Sequence, residues 1–374
     1  MKILLVCEHA GDHNGWSQYT RSLHDVLKNK GHDMHVCCIQ ATTGMKCFPL
    51  LKEPLRYLTN PIIPLLSAIK LSQVIREVQP DVIHITVEPY AMTVPFIGKK
   101  NIKRTVLTIH GSYGIRPLLQ LRTRWLALQY YKKIPSFITV SNYTKDAVSR
   151  TLKRKHHSIA QHFSENAHVI HNGIAIPTMP QHSQSNERKE ILLVGGIKPR
   201  KGVLQAIEAC SEFRKLSSTP FHFSIVGTFK EDAYTEQVRN RIYELNLVKN
   251  VSVLGVLPES TLKSLYQKTD LYLMPSITTP DTFEGFGLVF LEANAHGIPN
   301  IGPETSGAAE AIKEGISGYH VDPDNPKIIA QRMHWILDEG RISPEQCRSY
   351  AETRSDKIMI QETERVYSLL VHEK

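Results

Sequence analysis

The chain has 374 residues, 41% hydrophobic and 22% charged, with a formal net charge of +9 at pH 7. That length exceeds one ordinary hydrophobic core and favours two domains, and the balanced composition excludes a disordered or fibrous polypeptide. No apolar run approaches the roughly 18 residues that cross a bilayer, and Cys7, Cys37, Cys38, Cys47, Cys210 and Cys347 show neither metal-ligand nor CxxC spacing, so reduced core cysteines in a cytoplasmic protein are expected.

The first predicted element is the strand KILLVC. Its apolar residues Ile3 to Cys7 run straight into acidic and polar ones, which suits a buried strand and not a signal peptide. The loop EHAGDHNGW then carries Gly11 and Gly15 ahead of a helix. Glycines there let backbone N–H groups approach an anion at the positive end of the helix dipole. The spacing is not GxGxxG, and ordinary turns use the same residues. From Gln18 to Lys30 a helix is predicted, with Tyr19, Leu23, Val26 and Leu27 on one stripe and Lys-Gly-His as its stop.

The strands HVCCI, DVIHIT, RTVLTIH, FITVS and AHVIHNG follow. Short apolar strands alternating with amphipathic helices indicate a parallel sheet covered on both faces. His110, at the end of RTVLTI and before Gly111, is placed to donate, accept or transfer a proton; a structural histidine has the same sequence context. Residues 99–155 hold 14 basic residues against one acid, Asp146, so the remainder of the chain is slightly negative. Such a confined basic region suits an anionic partner: a membrane face, a phosphorylated acceptor or nucleic acid. Within it, residues 116–133 interleave Leu119, Trp125, Leu126, Leu128 and Tyr130 with Arg and Lys. That pattern fits one helix lying on an anionic interface, or a half-buried helix with a basic outer face.

Residues 177–190 are polar, contain two prolines and lack apolar periodicity, which reads as a linker between a first domain, 1–176, and a second, 191–354. The alternation then restarts with EILLVGGI, FHFSIVGT, VSVLGV, DLYLMPS, PNIGPE and GYHVD, so both halves are α/β and consistent with doubly wound sheets. After EILLVGG, the segment GGIKPRKG places Lys198, Arg200 and Lys201 between strand and helix, where they suit a diphosphate. In residues 282–299, TFEGFGLVFLEANAHGIP, Glu284 lies in a glycine-flanked loop and Glu292 in an apolar helix with Leu288, Leu291 and Ala295 along one face. With the helix starting near Gly287 the two carboxylates are about 10 Å apart at ~1.5 Å per residue, too far to share a proton. They suit two tasks on one long ligand, Glu292 accepting from a ribose diol and Glu284 holding a sugar. A last helix, from about Ser355, has no strand after it and is expected to brace the first domain, giving that domain a C-terminal piece at about 355–374.

Residues 275–302, with their Pro-Ser strand end, Glu-Gly-Phe-Gly, Glu-Ala and Gly-x-Pro turn, resemble the donor-site signature of retaining glycosyltransferases of the family 4 type (glycosyl transferases group 1). HG at 110 and 111, SNYTKD at 141–146, HNGI at 171–174, VGGIKPRKG and SGAAEAIKEGISGYHVDPDNP fall in the family's order, so the resemblance covers nearly the whole chain. It implies a GT-B fold of two facing Rossmann-like domains with a cleft between them, the first on the acceptor side and the second binding the nucleotide sugar.

Carried over by residue, the resemblance implies that Arg200 and Lys201 bind the donor diphosphate and Glu292 the ribose. Glu284, with the backbone around Phe286, Gly287 and Leu288, would hold the transferred sugar and phosphate. Gly15 would approach the diphosphate, His110 the anomeric centre or sugar hydroxyls, and Val256 and Leu257 the base. One departure is Gly196, where many members have Arg. The implied reaction is sugar transfer from a donor such as a UDP- or GDP-sugar, with retained configuration, to a hydroxyl of a glycan or lipid-linked acceptor in cell-surface polysaccharide or lipopolysaccharide synthesis. No resident cofactor or metal is expected. The basic 99–155 region is expected to contact an anionic membrane peripherally from the cytoplasmic side, with no nucleic acid bound. A nonhydrolysing sugar-nucleotide epimerase and a catalytically silent nucleotide-sugar-binding member are the alternatives.

Overall fold

A computed structural model describes residues 1–11, 14–178 and 188–372. The chain divides into two compact units, Met1–Ala175 with Asp356–Lys374, and Ile176–Ser355. The linker expected at 177–190 falls mostly on 179–187, outside the described residues. Its last two positions already belong to a strand: Lys189 and Glu190 pair with Phe221 and His222 despite their polar side chains, so the second sheet begins before residue 191.

In the first unit the strands are β1 (Lys2–Val6), β2 (Asp33–Cys38), β3 (Cys47–Pro49), β4 (Val82–Ile85), β5 (Thr105–Ile109), β6 (Ser136–Thr139) and β7 (Ala167–Val169). They form one sheet in the order β3-β2-β1-β4-β5-β6-β7, every pair parallel. Strands β1, β4 and β5 are buried almost throughout, as apolar strands under helices on both faces must be. The helix Gly15–Asn29 starts with the Asn14 side chain accepting from Ser17 N at 3.0 Å and buries Tyr19, Leu23 and Leu27, with Val26 half-buried.

The final helix, Asp356–His372, packs into this unit: Met359, Ile360, Val366, Tyr367 and Leu370 join Ile3, Leu5 and Val106 in one core cluster. Each such side chain contributes roughly 1.5–3 kcal/mol when fully buried. Tyr367 also reaches the sheet, its hydroxyl 2.5 Å from His84 Nδ1, while His84 Nε2 lies 2.6 Å from Thr108 Oγ1. Burial pushes the His84 pKa down to about 3, so the ring is neutral.

The second unit has β8 (Lys189–Val194), β9 (Phe221–Val226), β10 (Val251–Gly255), β11 (Leu271–Leu273), β12 (Asn300–Pro303) and β13 (Gly318–Val321), in the order β10-β9-β8-β11-β12-β13 and again all parallel. The order reverses between β8 and β11, and the loops after those two strands carry the residues described next. Parallel sheets bind ligands beyond the carboxyl ends of their strands at such a switch point.

The basic stretch 116–133 is not one helix. It divides into Ser112–Leu119 and Leu121–Lys133 at Gln120, whose backbone is extended (φ −86°, ψ 126°). Arg124 holds the break by donating from Nε to the Leu118 carbonyl (3.0 Å) and from Nη2 to that of Leu119 (3.3 Å). Leu126 and Tyr130 are core residues, whereas Leu119 and Trp125 are exposed. The six cysteines are free thiols, all buried except the half-buried Cys47.

Candidate functional site

Three of the charged residues singled out in sequence meet in the second unit. The loop after β8 turns through a 3-10 turn at Pro199–Lys201, and the Arg200 carbonyl accepts from Ile277 N at 2.8 Å, tying it to the loop after β11. The close approach depends on Gly202: at φ +67°, a Cβ there would lie 1.9 Å from the Pro275 carbonyl oxygen. Both Arg200 Nη1 and Lys201 Nζ then donate to one oxygen of Glu284, Lys201 at 2.8 Å. Burial opposes charge on Glu284, but Lys201 and Arg200 outweigh it and hold the carboxyl down at about 2. The pair of cations therefore exceeds its carboxylate by one unit of charge.

Beyond Glu284, the buried Phe286 leads to Gly287, which is left-handed (φ +76°) and starts the helix Leu288–Ala295. A Cβ on Gly287 would fall 2.8 Å from the Phe290 ring. No side chain caps this helix and no acid lies in its first turn, so its N–H groups and dipole favour an anion. Leu288, Val289, Glu292 and His296 are the half-buried positions of an otherwise buried helix, which puts Glu292 on its one accessible stripe. The hydroxyl of Tyr266 donates to Glu292 Oε2 at 3.3 Å, and the Tyr266 ring stacks on His296 at 5.0 Å. Val256 is 69% exposed and Leu257 half-buried just past β10, an apolar edge open to a ligand. Gly196 lies against the neighbouring loop, where a Cβ would come within 3.0 Å of Thr228 Oγ1. A side chain at this position would therefore have to displace Thr228.

Gly15 and His110 belong to the first unit. Gly15 is the exposed first residue of its helix. His110 Nε2 lies 3.0 Å from the Thr86 carbonyl; a carbonyl can only accept, so Nε2 carries the hydrogen and Nδ1 is left as an acceptor. Burial pushes the ring down to about 4, leaving it neutral near pH 7. Tyr19 packs edge-on to it at 4.8 Å. Behind it lies Glu88, 1% exposed, whose Oε1 accepts from His110 N at 2.7 Å. Burial raises this carboxyl to about 7 against the backbone N–H donors of Glu88, His110 and Gly111.

Residues 176–354 match the family described as glycosyl transferases group 1, and residues 13–176 match Glycosyltransferase Family 4. The chain belongs to this glycosyltransferase family. An uncharacterized glycosyltransferase of Methanocaldococcus jannaschii is 29% identical over 51% of this chain and 50% of its own length. The amylovoran biosynthesis glycosyltransferase AmsK of Erwinia amylovora is 32% identical over 34% of this chain and 31% of its own. The glycosyltransferase chain thus spans half or less of these curated relatives. Anabaena HepE, solved with UDP and glucose, superposes with a TM-score of 0.76 at 18% identity, covering 98% of this chain and 99% of that one. The fold is GT-B.

In this glycosyltransferase, two residues beside the expected ones, Glu88 in the first unit and Tyr266 in the second, escaped sequence reasoning. Glu88 had a legible signal, an acid three residues past a strand in the apolar run HITVEPYAM. Tyr266 had none, because its contact with Glu292 depends on how the helix Glu259–Lys268 packs.

Proposed function

We propose that the protein transfers a sugar, with retained anomeric configuration, from a nucleoside diphosphate sugar to a hydroxyl of a glycan or lipid-linked acceptor in cell-surface polysaccharide or lipopolysaccharide synthesis. The observation that carries this reading is the clasp of Arg200 and Lys201 on Glu284 immediately before the uncapped helix at Gly287. A leaving diphosphate needs fixed positive charge in a poorly hydrated place, and two cations against one carboxylate, a net charge of one beside a helix N-terminus, supply it. Removing one such donor slows comparable reactions roughly 10²–10³-fold.

In this reading Glu292, oriented by Tyr266, accepts from the ribose hydroxyls, and Val256 and Leu257 flank the base. Glu284 holds a hydroxyl of the transferred sugar; for the first unit, the roles proposed are a sugar hydroxyl for neutral His110, through Nδ1 as acceptor, and the diphosphate for the backbone at Gly15. The departing phosphate oxygen takes the acceptor's proton on the same face as the bond that breaks, which retains configuration. The chemistry proposed is metal-independent, with Arg200 and Lys201 supplying the positive charge for the leaving diphosphate. AmsK, named for amylovoran biosynthesis, supports the choice of a polysaccharide acceptor. A cytoplasmic protein meeting a lipid-linked acceptor at the membrane surface accommodates the basic 99–155 region. The test is thermal unfolding of the whole chain with UDP- and GDP-sugars, followed by product analysis. Stabilisation by one nucleotide sugar and transfer to acceptor supports the proposal; epimerised donor without acceptor, or no stabilisation by any, refutes it.

A further inference from the structure

We propose that the first unit docks on the surface of an anionic phospholipid bilayer through a face made by the helices Pro54–Thr59 and Ile62–Val78 and the start of Leu121–Lys133. The inference rests on the membrane-side acceptor proposed above, but its centre is the helix pair Pro54–Thr59 and Ile62–Val78, which lies outside the basic 99–155 stretch and meets it only at the start of Leu121–Lys133. Leu55, Ile62, Leu66, Ile69, Leu121 and Trp125 are between 52% and 84% exposed. On the longer helix Ile62, Leu66 and Ile69 form one stripe, opposite the buried Pro64, Ala68, Leu71 and Ile75. Leu121 and Trp125 are likewise one turn apart. Arg122 Nη1 donates to the Thr59 carbonyl at 3.2 Å, which sets the start of that helix beside the junction of the other two.

The charges among the apolar side chains of this face are positive: no Asp or Glu occurs between Pro54 and Arg76 or between Lys99 and Lys145, and Arg56, Lys70 and Arg122 are exposed there, while the acids Glu53 and Glu77 stand only at the two outer ends of the helix pair. Contiguous exposed apolar surface on a soluble unit marks an interaction site, and cations around it select a negative partner. The exposed side chains are mainly aliphatic, which suits the acyl boundary of a bilayer and gives no stacking platform for nucleic-acid bases. Pairing two copies through a two-fold would set these cations against each other.

The test is co-sedimentation of the full chain with phosphatidylglycerol–phosphatidylcholine vesicles and with phosphatidylcholine vesicles. Binding is expected only to the anionic vesicles. The triple variant Ile62→Gln, Leu66→Gln, Ile69→Gln, changed only at exposed helical positions, should partition roughly a hundredfold less. Arg122→Gln should lose about fivefold, the worth of one cation near such a surface. Equal binding to both vesicles, binding to neither, or full partitioning by the triple variant overturns the proposal. So does a dimer in light scattering that the triple variant makes monomeric, because the face would then be a self-interface. Nucleotide-sugar stabilisation of the triple variant, measured alongside, separates the two readings. If it persists while vesicle binding is absent throughout, only the docking falls; if it is absent while vesicles bind, only the transfer reading falls.

Discussion

Replacing Glu284 by glutamine separates what the carboxylate does for the fold from what the cations do for a ligand. In the parent, Lys201 and Arg200 hold its carboxyl at about 2, against an ordinary glutamate near 4.3, a difference worth about 3 kcal/mol. Because the folded value lies below the unfolded one, that stability is complete above about pH 4.3 and disappears as pH falls through about 2. The amide variant lacks it at every pH. Unfolding of the second unit at pH 7 should therefore drop by about 6–12 °C, at roughly 2–4 °C per kcal/mol for a domain of its size, and the gap should close toward pH 2. The same change adds one unit of positive charge beside the proposed diphosphate position. UDP should bind about tenfold more tightly, less so at high salt, while sugar transfer falls roughly 10²–10³-fold. Thermal scans at pH 7 and pH 3 and calorimetric titration with UDP read both effects. A folded Glu284→Gln protein that no longer binds UDP would refute the reasoning, since the carboxylate and not the cations would then be the nucleotide anchor.

Gly202→Ala meets both a left-handed backbone and the Pro275 carbonyl and should cost well over 2 kcal/mol in urea unfolding; Gly31→Ala, at φ +86° with open space around it, should cost only the conformational ~1–2 kcal/mol. Glu88, raised to about 7 by burial, makes the parent lose up to about 3 kcal/mol as pH rises from about 4.3 through 7; Glu88→Gln should abolish that slope in urea titrations at pH 5 and 8. His110, pushed down to about 4, should add no limb to the pH–rate profile above pH 5, and a limb near its ordinary value would show that the ring is charged in the working protein. Tyr266→Phe removes the hydroxyl that donates to Glu292 and should weaken UDP by about 0.5–1.5 kcal/mol while leaving inorganic diphosphate unchanged.

Much of the architecture was legible because the buried parallel strands are the apolar runs: KILLV, VIHI, TVLTI and FHFSIV stand out without any partner known. What was hidden depends on neighbours. The strand Cys47–Pro49 has three residues at a sheet edge and exists through its register with Val36 to Cys38; its short apolar run CFPLL is interrupted by Pro49, which demotes it as a strand signal. The break at Gln120 is stabilised by Arg124 reaching back to carbonyls, and Lys189 and Glu190 are strand residues because Phe221 and His222 pair with them. At the site, family resemblance placed Arg200, Lys201 and Glu284 on a common ligand, whereas the sharing of one carboxylate oxygen by both cations spans more than 80 residues of sequence and is visible only in three dimensions.

The helix Asp356–His372 gives the first unit an unusual history. The chain writes that unit's seven strands before residue 170, yet its core stays uncovered along Ile3, Leu5 and Val106 until the last stretch is made. The second unit, wholly contained in 176–355, has all its parts earlier. On a growing polypeptide the half begun first is thus completed last, and a stop or a proteolytic nick near residue 355 would leave an intact second unit joined to an open, aggregation-prone sheet.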